Sequence, residues 1–206
     1  MAASAPQAAW TQSFVTRVEA LALLQTLNAD LLSHDSATAT LERWCAAHKL
    51  ATPARMVAVR VPNVDKPPEP EQRALLKVAP DTAVRYRRVQ LRCGTLVLSE
   101  ADNWYVPGRL APQMNAQLDT GDTPFGVVVR ALHFQRHTLS STLLWMPLPE
   151  AWEMGAGYAA VAAGAQPLPA QLLEHRAILA LPDGTPFSEV IETYTNNVLA
   201  FAVPEP

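Results

Sequence analysis

Glu192 stands between Val190 and Tyr194 in the stretch Phe187 to Val198, whose residue types favour an extended strand. Residues two apart on a strand share a face, so Val190, Glu192 and Tyr194 go together while Glu189, Ile191 and Thr193 face the other way. A carboxyl held among apolar side chains has a raised pKa unless it is paired, which is how a protein keeps an acid protonated near neutral pH. The same spacing also allows Glu192 on a solvated face, with Ile191 covering the core instead. The second group able to do chemistry is the cluster Arg85, Arg87, Arg88 and Arg92. Arg87 alternates in phase with Val89 and Leu91, whereas Arg88 goes with Tyr86, Gln90 and Arg92 on the more polar side. An arginine on a covered face is costly unless it meets an anion, and its fork suits a carboxylate. Otherwise the run is an internal salt bridge or a solvated basic face.

Other reactive residue types form no recognisable site. His133 and His137 are four apart, a ligand spacing on a helix but not on the strand expected there, and no carboxylate pattern lies nearby, so no metal site is expected. There is no Gly-rich phosphate loop, no nucleophile elbow and no Cys/His pair at a telling spacing. Cys45 and Cys93 fit neither a metal site nor a disulfide framework. They are either two buried thiols or, in an exported protein, one bridge.

The elements that position these groups follow from composition and pattern. The chain has 206 residues, 49% of them hydrophobic and 17% charged. That is a globular composition, long enough for one domain over residues 1–206 with a real core; residues 1–12 are expected to form a flexible N-terminal segment. A formal charge of −3 and scattered arginines argue against nucleic acid as a partner. No apolar run is long enough to cross a bilayer. The start, Met1-Ala-Ala-Ser-Ala-Pro, lacks the basic and apolar regions of a complete signal peptide, yet it resembles the tail of a processed one. The expected location is periplasmic or otherwise exported, with the cytoplasm as the alternative.

From Val15 to Leu31 apolar residues recur every three or four positions, which predicts a helix. Asp35 and Ser36 offer caps for a second helix running to about Lys49. Met56 to Val61 alternates as a strand, and Pro62 to Pro70 is a proline-rich loop. Val84 to Leu98 reads as two strands meeting near Cys93-Gly94, followed by a separate aromatic strand from Asn103 to Val106. A short polar helix leads to the turn Thr123-Pro124-Phe125-Gly126; on spacing alone this stretch is a strand-to-helix connection, although backbone N–H groups at such a turn before a helix could receive a carboxylate. Val127 to Leu132 reads as a short helix and Leu132 to Trp145 as one or two strands. The Ala/Gly-rich segment between Pro147 and Pro169 is a flap or a loosely packed helical insertion. Ala177 to Leu181 and Phe187 to Val198 form a hairpin about Pro182-Asp183-Gly184. Helices first and then strands without a βαβ rhythm give an α+β fold, an antiparallel sheet flanked by helices.

The order of these residues resembles a family. A helix ending in Leu31-Leu32 with Asp35-Ser36 after it, an arginine-bearing strand, Val106-Pro107, Leu110, Leu118, the Thr-Pro-Phe-Gly turn, and a last hairpin carrying Glu192 look like chorismate pyruvate-lyase. More distantly they are similar to the ligand-sensing domain of GntR-type regulators, which shares its fold. The resemblance runs from about residue 20 to residue 200, and the turn and terminal strand are its most specific parts.

That resemblance implies a closed pocket against the sheet. In the lyase an arginine holds the ring carboxylate, a glutamate on the last strand contacts the opposite oxygen, and backbone at the turn completes the site. Chorismate loses pyruvate to give 4-hydroxybenzoate, with no metal or cofactor. Glu192 matches the glutamate, and Phe125 and Gly126 match the turn. Counting back from Pro107 selects Arg88 as the arginine, whereas the apolar alternation selects Arg87; one bulge reconciles them, and Arg87 is preferred because it shares the covered face. Three departures bear on activity. Ala37 replaces a methionine, which widens the pocket. Asn103 replaces a second arginine, which removes a positive charge where the substrate is a dianion. The segment from about Gly155 to Ala165 is expanded. Export would be a fourth, because chorismate is made in the cytoplasm. Two functions are therefore expected in competition: a chorismate-lyase-like protein that binds a small aromatic or cyclic carboxylic acid and eliminates pyruvate from chorismate, and a non-catalytic small-molecule-binding or interaction module on the same fold. Too few residues precede Leu31 for a winged-helix DNA reader.

Overall fold

A computed structural model of the chain describes residues 10–155 and 168–202. The first helix, α1 (Phe14–Leu32), begins at Ser13, whose side chain accepts from the Thr16 N–H while Thr16 Oγ1 accepts from the Ser13 N–H. Its buried residues Ala20, Leu24, Leu27 and Leu31 make one stripe. Ser36 rather than Asp35 caps α2 (Ala37–Ala47), its Oγ accepting from the Ala39 N–H. Strands β1 (Met56–Arg60), β2 (Arg85–Cys93), β3 (Leu96–Tyr105), β4 (Gln135–Leu143), β5 (Gln171–Ala180) and β6 (Pro186–Thr195) form one antiparallel sheet in the order β1-β2-β3-β6-β5-β4. The fold is α+β, an antiparallel sheet flanked by helices.

The largest core lies between one face of the sheet and the first two helices, where Leu24, Leu27, Leu41 and Trp44 meet Val89, Leu91, Ala101 and Val190. Cys45 of α2 and Cys93 at the end of β2 are joined by a disulfide that closes a separation of 48 residues across this core. A second core sits at one end of the same face. There α4 (Pro112–Thr120) and α5 (Phe125–Val128) bring Leu118, Phe125 and Val128 against Tyr105, Leu179 and Phe187. The opposite face is covered in part by the segment between β1 and β2, which lays Leu76 on Trp104 and Val106.

Several local readings differ from the structure. Residues 1–9 lie outside the described residues; Trp10, within the stretch expected to be flexible, is fully buried and its indole N–H donates to the Leu199 carbonyl at 2.9 Å. The aromatic strand is not separate. It continues β3 through Glu100 and Asp102, because those acids point to the outer face and are paired there with Arg88 and Lys66. The proline-rich loop ends in a short helix, α3 (Pro70–Leu75), held to the sheet by an ion pair between Glu71 and Arg176 at 3.0 Å. The helix expected from Val127 begins instead at Phe125, and a single turn of 3-10 helix follows at Arg130–Leu132. Beyond Gly155, the Ala/Gly-rich segment to Ala165 lies outside the described residues. Among the described residues no helix is long and apolar enough to cross a membrane, and no group of His, Cys, Asp and Glu could hold a metal ion.

Candidate functional site

Strand register decides which side chains meet. Arg87 pairs across β2 and β3 with Asn103, Asn103 with Val190 of β6, and Val190 with Ala177 of β5. The adjoining row on the same face is Val89, Ala101, Glu192, His175 and Ser141. The start of α2 and the turn leading into α5 cover these rows and leave a space of about 530 Å³, its open mouth included. Ala37, Asn103, Phe125 and Gly126 line it together with Arg87 and Glu192. Its walls are mostly apolar, with a few convergent polar groups, as in small-molecule sites.

Arg87 is 2% exposed. Its Nη2 donates to the carbonyls of Gly121 and Thr123 at 3.4 and 3.3 Å, which ties it to the Thr123–Gly126 turn. Its Nε and Nη1 are buried without a partner, and no carboxylate pairs with it among the described residues. Burial pulls its pKa below the ordinary arginine value, and the nearby Arg60 pulls the same way. An isolated buried guanidinium is expensive unless an anion meets it.

Arg88, the neighbouring candidate, is not in the cavity. Strand alternation turns it to the other face, where it pairs with Glu100 at 3.0 Å and approaches Asp102 at 3.8 Å. The bulge that reconciles the two counts lies in this hairpin, between Leu91 and Arg92.

Glu192 is 6% exposed and has two partners within the protein. Arg136 Nη2 donates to its Oε2 at 2.6 Å, and the Tyr194 hydroxyl donates to the same oxygen at 3.2 Å. The Glu192 carboxylate is thus paired within the protein. Burial lowers the Arg136 pKa, but the Glu192 charge beside it outweighs this and holds the guanidinium above its ordinary value. The Arg136 backbone N–H donates to Asp35 Oδ1 at the mouth, which fixes the strand end that carries it. Burial pushes the enclosed Tyr194 hydroxyl well above the usual tyrosine range.

Arg136 was missed by sequence reasoning. On β4 the inward set is Phe134, Arg136 and Thr138, while Leu139 faces out and is 46% exposed, so apolarity points to the wrong face. Arg136 shares its cross-strand row with Leu179 and reaches Glu192 past Ala177, whose methyl leaves the path open. A second cation does line the cavity, but it comes from a different strand and is paired with Glu192. Asn103 itself accepts from the Ser188 hydroxyl at 3.0 Å and carries no charge. Gly126 is not required by packing: a Cβ there would stand 3.8 Å from Ser36 Oγ, an ordinary contact. What the glycine leaves is room.

Beneath Glu192 lies a polar cluster. His175 Nε2 is 2.7 Å from Asn28 Oδ1 and 3.1 Å from Ser141 Oγ, and Ser141 Oγ donates to Asn28 Oδ1 at 2.8 Å. Asn28 Oδ1 can only accept, so Nε2 of the neutral ring carries the hydrogen and His175 is not a base for Ser141. Burial pushes the His175 pKa down to about 4, although Glu192 opposes this.

No protein-family model matches the chain. It is 54% identical over 199 residues to the uncharacterized protein y4mC of Sinorhizobium fredii (strain NBRC 101917 / NGR234), an alignment covering 96% of this chain and 84% of that protein. The chain belongs to the y4mC family. Solved structures add the fold. PhnF from Mycobacterium smegmatis aligns with a TM-score of 0.51 at 14% identity, over 84% of this chain and 69% of PhnF. The separately solved effector domain of PhnF aligns with a TM-score of 0.50 at 13% identity, over 78% of this chain and 88% of that domain. At such identities the likeness is one of fold alone, and it is the chorismate-lyase-like fold of GntR-type ligand-binding domains that the resemblance implied.

Proposed function

We propose that this y4mC-family protein binds a small aromatic or cyclic carboxylic acid, its carboxylate received by Arg87 and a polar group at its other end meeting Glu192. One observation carries the reading: a buried arginine with two unpartnered N–H-bearing nitrogens, and no carboxylate partner among the described residues, lines a cavity whose walls are mostly apolar. Such a guanidinium gains most from a ligand anion that replaces the lost water. Phe125, against which a ring could lie, is itself braced by Tyr105 and Phe187. The disulfide supports an exported location, since such bridges persist in oxidising compartments. The test is a thermal-shift screen with hydroxybenzoates on the wild type and on Arg87→Met. Saturating acid should raise the wild-type Tm and leave the variant unmoved. Stabilisation that persisted in Arg87→Met would discredit the site.

A lyase reading draws on the same residues, because Arg87 and Glu192 line one cavity. The Arg136–Glu192 ion pair weighs against it by engaging the carboxylate that would serve as an acid. Incubation with chorismate and measurement of pyruvate separates the two, and with the fold intact no release is expected.

A further inference from the structure

We propose that the cavity selects acids with a single carboxylate and an uncharged hydrogen-bond donor at the other end, and that the Arg136–Glu192 pair sets this selectivity. The inference rests on the reading of the cavity as a carboxylate site. Four ionisable side chains line the cavity: Asp35, Arg87, Arg136 and Glu192. Asp35 is exposed at the mouth, where water screens it. Arg136 and Glu192, with side chains 5% and 8% exposed, cancel one another at 2.6 Å. Arg87 is left as one net positive charge in the buried interior.

One carboxylate neutralises that charge. A second would have no cation to meet unless Arg136 abandoned Glu192, and the abandoned carboxylate would then be the buried anion without a partner. Cations behind Arg87 do not help: Arg85 is paired with Asp119, Arg60 donates to the Asp119 carbonyl, and neither lines the cavity. The far end also has a polarity. Arg136 and Tyr194 both bond Glu192 Oε2, and neither bonds Oε1, which can accept from a ligand hydroxyl. A ligand carboxylate presented there would instead meet a like charge.

Calorimetry with 4-hydroxybenzoate and benzene-1,4-dicarboxylate tests this. The wild type should bind the hydroxy acid about tenfold or more tighter than the diacid. Glu192→Gln keeps the side-chain shape, removes the negative charge and releases Arg136, so the diacid should gain about tenfold relative to the hydroxy acid. A Glu192→Gln/Arg136→Gln double variant returns the interior to one positive charge and should restore the wild-type order. Equal or tighter binding of the diacid by the wild type overturns the inference, as does a ratio unmoved in a folded Glu192→Gln. The underlying reading fails differently: neither acid binds the wild type, or both bind Arg87→Met as well as the wild type, and the inference falls with it.

Discussion

Arg87 and Arg88 follow one another on β2, and the pleat sends them to opposite faces of the sheet. On the outer face Arg88 is 30% exposed at its side chain, pairs with Glu100 and approaches Asp102, which Lys66 and Tyr86 also hold. On the inner face Arg87 is enclosed, with two backbone carbonyls and no acid. Around Arg88 the outer face leaves the charges partly solvated and lets them share partners, so this arginine is replaceable. The inner face holds few charges, and each either has one strong partner, as Arg136 has, or lacks one, as Arg87 does. A charge without a partner in a covered place gains most from an added anion, whereas a charge with several partners on an open face gains little.

The contrast can be broken at four points. The largest effect is expected from Arg136→Met, which strands the Glu192 carboxylate and should cost about 3–5 kcal/mol of unfolding free energy in denaturant titration. A loss comparable to that of a surface pair would mean that the inner face is wetter than its burial implies. Next is acidification. The folded His175 pKa is about 4 against an ordinary 6.5. Between these values the unfolded chain binds a proton that the folded chain refuses. The stability from this group is whole above about pH 6.5 and falls by about 3 kcal/mol as pH drops to about 4. His175→Gln should flatten that part of the pH–stability curve, whatever its effect at neutral pH.

Third, Arg87→Met should weaken binding of 4-hydroxybenzoate about 100-fold while leaving the unliganded protein as stable or more so, because it removes a buried cation that nothing in the protein neutralises. A destabilised variant would show that Arg87 serves the fold. Smallest is Arg88→Ala, expected to cost about 0.2–1 kcal/mol and to leave binding unchanged. Weakened binding there would erase the distinction between the two arginines.

Much of the scaffold was legible because burial on one side imposes a period. The stripe through Leu24, Leu27 and Leu31 and the alternation of Arg87, Val89 and Leu91 are of this kind. The side on which Glu192 lies was ambiguous for a physical reason: both faces of β6 are covered, and Ile191 packs with the outer cluster around Trp104. Arg136 was hidden because β4 is an edge strand whose outward residues include Leu139. Trp10 gave no local signal, since its partner, the Leu199 carbonyl, is 189 residues away. The Asn103 departure was read as a loss of charge. Only strand order reveals that β4, two strands beyond β6, supplies the cation that answers Glu192.

The position of a bound ligand anion decides most directly between Arg87 as a binding residue and Arg87 as part of the fold. A crystal structure of the protein soaked with 4-hydroxybenzoate should show its carboxylate within hydrogen-bond distance of Arg87 Nε or Nη1 and its hydroxyl at Glu192, with the Arg136–Glu192 pair intact. A carboxylate bound instead to Arg136, or an acid seated only on the outer face near Arg88 while the cavity stays closed around Arg87, would contradict it.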